Sequence, residues 1–485
     1  MSELRFDVAA AQEAAVDVLV IGAHSSEESV PVLTASASGV DAAFGGDLAA
    51  RLAEVDFKGA AASVAKLPAP EGVAANTVAV VGLGKAGDAD DESLRRAAAQ
   101  GVKASFGRDS VAVALDGDAD AIAVGAALGT YRYEGYKSGD EADEAPGRVL
   151  LLGVGEDAVK RAESLAAGVF AARDWVNTPP NYLRPPSFAA EIERGAAELG
   201  MRTEVLGTEE LTSGGYGGIL AVGGGSEAEP RLVRVEYRPE GASKHIALVG
   251  KGITFDTGGI SLKPSQGMWD MKGDMGGSAA AIGAIFAIAR LGLPINVTAT
   301  VALAENMPSG SAYRPGDVVT ARNGKTIEVL NTDAEGRMVL ADALSRAVED
   351  GPDAVYDIAT LTGGQVVALG SRTMGLMGSE EETARVKRLG DLTGEKGWPM
   401  PLPEDIRKNM ESPIADISQV AQGMNRDGHM LQGGVFLEHF IPEGTPWAHL
   451  DIAGPSDGDK AFGYIPRGAS GFPVRTLVAV VEDWI

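Results

Sequence analysis

Short apolar runs alternate with longer stretches of mixed polarity along the first third of the chain. Val18 to Ile21, Val78 to Val81, Val111 to Leu115 and Val149 to Leu152 are continuously apolar, the pattern of strands buried on both faces. Between them, Asp41 to Val55, Glu92 to Ala104 and Asp118 to Tyr131 read as helices. Such alternation predicts an α/β layer structure around a largely parallel sheet. A long helical pattern from Glu156 to Trp175 then ends at the breaker Pro179-Pro180 and reads as a connector. Beyond it strand and helix alternate again, with an apolar strand at His245 to Val249 and a small-residue helix at Ala279 to Leu291. The expected organisation is an N-terminal α/β domain over 1–155, a connecting helix over 156–176 and a larger C-terminal α/β domain over 177–485. Each domain should hold a mostly parallel or mixed sheet flanked by helices. Glu134 to Pro146 and Asp391 to Pro403 read as exposed connections, and no internal repeat is detectable.

Length and composition narrow this picture. A chain of 485 residues with 45% apolar content is globular and too long for one ordinary core. It has no cysteine, so disulfides, thiol catalysis and cysteine-bound zinc are excluded. The formal net charge of -26 repels phosphate backbones and anionic membranes, which argues against nucleic acid or a membrane as partner. The longest apolar run, Ala279 to Ala289, is short of the ~20 residues that span a bilayer. The acidic start, Met1 to Asp7, lacks a signal-peptide core, and a cytoplasmic location is expected.

Candidate chemistry lies where strands give way to helices. Asn331-Thr332-Asp333-Ala334-Glu335-Gly336-Arg337 sits between the strand pattern Thr326 to Leu330 and the helical pattern Met338 to Val348. Two acids, a glycine and an arginine at such a boundary can aim at one point. The competing reading is a capping box formed by Thr332 and Glu335. Upstream, Val249-Gly250-Lys251-Gly252-Ile253-Thr254-Phe255-Asp256-Thr257-Gly258-Gly259 follows an apolar run and continues to Lys263-Pro264, with glycines that let backbone turn and approach closely. Met271-Lys272-Gly273-Asp274 brings a further acid to the start of the small-residue helix. One decoy stands apart: Gly82-Leu83-Gly84-Lys85-Ala86-Gly87, with Asp116 at the next strand end, mimics a dinucleotide fingerprint. Asp88, Asp90, Asp91 and Glu92 crowd the helix start there, where a pyrophosphate needs a positive pole.

These segments together resemble the leucyl aminopeptidase family of dinuclear-metal exopeptidases. The likeness runs from Trp175 to Asn181, through the three segments above, to Ala359-Thr360-Leu361-Thr362-Gly363 and Trp447 to Gly454, with a fitting tail from Gly463 to Leu477. The resemblance implies metal ligands at Lys251, Asp256, Asp274, Asp333 and Glu335, holding two divalent ions, manganese or zinc in the first place and magnesium or cobalt as alternatives. It implies a metal-activated water as nucleophile, a substrate bound through its free amino group, Lys263 stabilising the oxyanion and Arg337 holding a bicarbonate proton shuttle. Lys251 would bind as the uncharged amine, which asks for a depressed pKa. Met271, Thr360, Leu361, Gly363 and Ala453 would line the pocket for a leucine-like or other neutral first side chain. Ser456 follows where better known members carry a methionine, which leaves more room. A peptide with a free N-terminus is the implied partner, and a homohexamer the implied assembly. The chain's five histidines fall outside these motifs, and His245 and His449 read as satisfied core residues.

Overall fold

The computed structural model describes residues 2–139 and 143–485. Met1 and residues 140–142, the latter part of the expected connection Glu134 to Pro146, lie outside the described residues. The rest of that connection carries neither helix nor strand and is mostly exposed. The chain divides into two compact units, 1–166 with 460–467, and 167–459 with 468–485. The division falls inside the helix Glu156–Asn177. The return of 460–467 to the first unit has no counterpart in the sequence reading.

The first unit is built on β1 (Glu3–Asp7), β2 (Val18–Ser25), β3 (Val32–Leu33), β4 (Val64–Pro68), β5 (Thr77–Lys85), β6 (Ser110–Ala114) and β7 (Arg148–Leu152). Their order is β1-β7-β6-β2-β5-β4, parallel except for β4, with β3 antiparallel on β2. Leu19, Ile21, Val78, Val80 and Ala112 are fully buried in one cluster, as continuous apolar strands require. The pattern Asp41 to Val55 is not one helix. It splits into Ser38–Ala43 and Leu48–Glu54 around Gly45 and Gly46, both at positive φ, which glycine alone adopts freely. The glycine-rich decoy also fails as a phosphate loop. β5 runs on through Gly82, Gly84 and Lys85, a single 3-10 turn covers Ala86–Asp88, and the next α-helix begins only at Asp91, capped by Asp90. A side chain at Gly82 would strike the Ala60 carbonyl, so protein backbone fills the space a ligand would need.

The second unit contains β8 (Arg202–Leu206), β9 (Arg231–Tyr237), β10 (His245–Asp256), β11 (Asn296–Asn306), β12 (Val318–Thr320), β13 (Thr326–Glu328), β14 (Ala354–Ala359), β15 (Met374–Gly378), β16 (Gly397–Pro399), β17 (Ile417–Ser418) and β18 (Trp447–Asp451). The main sheet has the order β16-β15-β18-β14-β10-β11-β9-β8, and β12-β13-β17 form a small separate sheet. β10 is flanked by parallel β14 and β11, so its C-terminal end opens where α/β sheets present ligands. Helices Gly276–Leu291 and Glu335–Val348 pack against the sheet and are buried along nearly their whole length.

Two expectations are corrected here. Asp391 to Pro403 is not simply an exposed connection: a helix runs to Thr393, β16 pairs with β15, and Glu395 is buried against Thr476. The apolar run Ala279 to Ala289 also understates its element. With the turn that precedes it, the helical stretch Met268–Leu291 is 24 residues, long and apolar enough to cross a bilayer, yet 78% of its apolar window is buried inside the protein. Burial all round marks a core helix.

Candidate metal centre

Four acids and two lysines meet at the C-terminal end of β10. Lys251 Nζ donates to Asp274 Oδ1 at 2.7 Å and to the Thr360 carbonyl at 2.9 Å, and lies 3.0 Å from Glu335 Oε1. Lys263 Nζ lies 2.8 Å from Asp256 Oδ2 and 2.5 Å from Asp333 Oδ1. Oxygen atoms of Asp256, Asp333 and Glu335 fall within 4.8 Å of one another. Separate elements bring these residues together: Lys251 and Asp256 come from β10, Asp274 from the turn before helix Gly276–Leu291, and Glu335 as the first residue of its own helix.

The capping-box reading does not survive. Thr332 Oγ1 donates to the Gly258 carbonyl at 2.7 Å and accepts from Ser261 N–H at 2.8 Å, while the helix N-cap, Ala334, has no side-chain hydrogen bond. Thr332 therefore staples one acidic loop to the other and leaves Glu335 free to face Lys251. Gly258 and Gly259 make this approach possible at φ +86° and +63°; a Cβ on Gly258 would sit 2.8 Å from Asp333 Oδ1.

Charge and burial together set the electrostatics. Burial opposes the Lys251 ammonium, but Asp274, Glu335 and Asp256 outweigh it and raise its pKa. With side chains alone the lysine is thus an ammonium, and the amine expected from the sequence would need cations beside it. Asp256 is pushed up to about 6 by burial and then by Glu335. Burial lifts Asp274 and Asp333 too, whereas at Glu335 the two lysines overcome burial and hold the carboxyl low. Asp274 Oδ2 and Glu335 Oε2 are buried without a hydrogen-bond donor. Buried carboxylate oxygens are seldom left so, and hard divalent cations fit such an oxygen-rich donor set.

The other expected residues are distributed unevenly around this cluster. Thr360 Oγ1 donates to Asp274 Oδ1 at 2.8 Å. Leu361 and Ala453 are held by one acid, buried Asp451, whose Oδ1 accepts from both backbone N–H groups at 3.1 and 3.2 Å. Gly363 opens the short helix Gly363–Leu369 with nothing within 4 Å of a Cβ built on it. Met271 is half-buried in the turn that delivers Asp274. Arg337 is buried, bonds the Gln419 carbonyl at 2.8 Å and leaves Nε without an acceptor; desolvation lowers its pKa to about 10. A Cβ on Gly276 would stand 3.4 Å from both Ser456 Cβ and Thr360 Cγ2.

Sequence reasoning missed the residues that brace these groups. Gln419, fully buried, accepts from Leu330 and Asn331 N–H and donates to the Ala334 carbonyl at 2.9 Å. Asn306 ends β11 and donates to Asp256, and Asp451 ends β18 and accepts from the Thr362 hydroxyl. A polar residue at the end of an apolar strand is the signal that could have found Asn306 and Asp451; Gln419, after the two-residue strand Ile417–Ser418, carries no such mark. Of the histidines, His245 Nε2 pairs with Thr298 Oγ1 at 2.9 Å. His449 Nδ1 meets Asp357 at 2.5 Å in the core but is not fully satisfied, its Nε2 being buried without a partner. Burial, then the charge of Arg337, lowers the pKa of His429.

Comparison with known proteins places this geometry. Residues 170–478 match the profile of the cytosol aminopeptidase family, catalytic domain, and residues 20–140 that of the family's N-terminal domain. A protein of Nocardia farcinica named "Probable cytosol aminopeptidase" is 49% identical, covering 96% of this chain and 95% of its own length. One of the same name from Streptomyces coelicolor is 47% identical over 99% of this chain and 98% of its own. Among solved structures, the bottromycin maturation enzyme BotP in complex with Mn superposes with a TM-score of 0.87 at 38% identity, covering 97% of this chain and all of that one. A mutant tomato leucine aminopeptidase gives 0.87 at 33% identity, covering 100% of this chain and 97% of that one.

Proposed function

The chain belongs to the cytosol aminopeptidase family and is a hydrolase that removes N-terminal residues from peptides; on that premise we propose the residues that do the work. Lys251, Asp256, Asp274, Asp333 and Glu335 hold two divalent ions, manganese or zinc. When bound, such a pair lowers the pKa of water and polarises a carbonyl. The observation that carries this reading is the cluster itself: four carboxylates converge, and two of their buried oxygens lack any donor.

Lys263 reaches this cluster from the rim, partly exposed, where its ammonium can donate to the oxyanion that develops on the substrate carbonyl. Arg337, buried behind Glu335 with an unused Nε–H, can hold a bicarbonate that relays a proton, so no histidine is needed as base. Met271, Thr360, Leu361, Gly363 and Ala453 line the pocket for a neutral first side chain. Ser456 and Gly276 leave that pocket wider than a methionine would. A cytoplasmic location and a homohexamer complete the proposal, both supported by the family resemblance.

The test is hydrolysis of leucine-p-nitroanilide and of its N-acetylated copy by chelated protein, then by protein resupplied with Mn²⁺ or Zn²⁺. Metal-dependent release from the free-amine substrate alone supports the assignment. Full turnover in Lys263→Ala, or full metal content in Asp333→Ala, would remove that residue from its role.

A further inference from the structure

Asn306 ends β11 and is 1% exposed. β10 and β11 keep strict parallel register from His245 opposite Asn296 to Ile253 opposite Ala304. The register then shifts: Thr254 is left over, and Phe255 faces Glu305. The consequence is that Asp256 stands opposite Asn306; without the extra residue Phe255 would take that place. Bulges beside functional sites commonly re-aim a side chain in this way.

The re-aimed carboxamide is fully committed on one side. Its Nδ2 donates to Asp256 Oδ1 at 2.8 Å and to the Thr332 carbonyl, next to Asp333, at 2.9 Å. Gly258 N–H donates to the same Asp256 Oδ1 at 2.8 Å. One oxygen of Asp256 is therefore saturated, and Oδ2 alone faces Lys263. Two acceptors around Nδ2 also settle which way the amide points, because the reverse orientation would set oxygen against oxygen. The other end, Asn306 Oδ1, is buried with no donor. An amide that served packing alone would be expected to satisfy both ends.

We infer that Asn306 is a positioning residue of the metal centre, presenting Asp256 through a single oxygen and tying it to the loop that carries Asp333. The inference rests on the reading of the cluster as a metal site. Outer hydrogen bonds of this kind orient carboxylate ligands and tune their affinity.

The experiment uses the full chain with Mn²⁺ alone and a competing chelator to measure affinity in the parent, Asn306→Ala, Asn306→Ser and Ser226→Ala. Ser226 donates to Glu305 Oε2 at 2.6 Å at the same strand end and serves as the control for local packing. Asn306→Ala should weaken binding roughly ten- to a hundredfold at one of the sites. Asn306→Ser, which keeps one donor, should lose less, and Ser226→Ala should bind as the parent does. Parent-like affinity in both Asn306 variants overturns the inference, as does an equal loss in Ser226→Ala. If Asn306→Ala does not fold, Asn306→Ser decides, together with a crystal structure of the Mn²⁺-soaked parent: Asn306 Nδ2 beyond hydrogen-bond reach of Asp256 refutes it. A parent that binds no Mn²⁺ would instead remove the metal-site reading.

Discussion

Gly336→Ala separates local helix preference from tertiary demand, because the two predict opposite signs. Gly336 is the second residue of helix Glu335–Val348, where alanine in an open setting would add about 1 kcal/mol of stability. In this fold a Cβ there would lie 2.5 Å from Lys251 Cε, 2.7 Å from Nζ and 2.8 Å from Cδ. Ordinary contact begins near 3.4 Å, so the lysine must withdraw by 3.4 − 2.5, about 1 Å. It has nowhere to go: Lys251 is 2% exposed and held by Asp274, Glu335 and the Thr360 carbonyl. Overpacking of this sort costs about 1–3 kcal/mol. Set against the helix gain, the expected net is a loss of about 1 kcal/mol in chelated protein, read as a lower urea midpoint. A displacement of that size beside the reacting centre costs about a hundredfold in turnover, read with leucine-p-nitroanilide at saturating Mn²⁺. Gly363→Ala, with no neighbour within 4 Å, is the control and should fold at least as stably as the parent. A Gly336→Ala protein with unchanged or raised stability and turnover within threefold of the parent would refute the reasoning.

Removing metal should lower the thermal midpoint, since an ion present at a hundred times its Kd adds about 2.7 kcal/mol; equal midpoints with and without chelator count against a bound metal. The loosening should stay confined to the acidic loops, because Lys251 and Lys263 already pair all four carboxylates, and hydrogen exchange spread over the whole sheet would contradict this. Burial, and then Arg238, push His245 from 6.5 down to about 4. Between those values the unfolded chain binds a proton that the folded one does not, so stability is lost as pH falls from 6.5 toward 4. His245→Gln should flatten that limb of a plot of urea midpoint against pH, and a parallel curve would exclude His245 as a contributor. Ser456→Met should narrow the pocket beside Gly276 and raise KM for aromatic over leucine substrates about tenfold, whereas an unchanged ratio would place Ser456 outside it.

Much of this architecture could be read directly from the chain. Strand segments such as Val18 to Ile21 and Val111 to Ala114 announce themselves because a strand buried on both faces is apolar along its run. The acidic motifs were equally visible, since Asp333, Glu335 and Arg337 are neighbours in sequence and their spacing at an element boundary is a local property. Asn306, Gln419 and Asp451 were not. Their roles depend on which strand lies beside which, and on a single bulged residue that moves Asn306 opposite Asp256. Likewise Thr332 carries the sequence signature of a helix cap, yet in the fold its hydroxyl bonds Gly258 and Ser261, residues more than seventy positions away. Glu395 looks like a loop acid until Thr476 arrives to bond it. Burial periodicity and turn chemistry are short-range and are written within a few residues of where they act. The partner that a buried polar atom finds is set by register and crossover, and those are settled only when distant segments have packed.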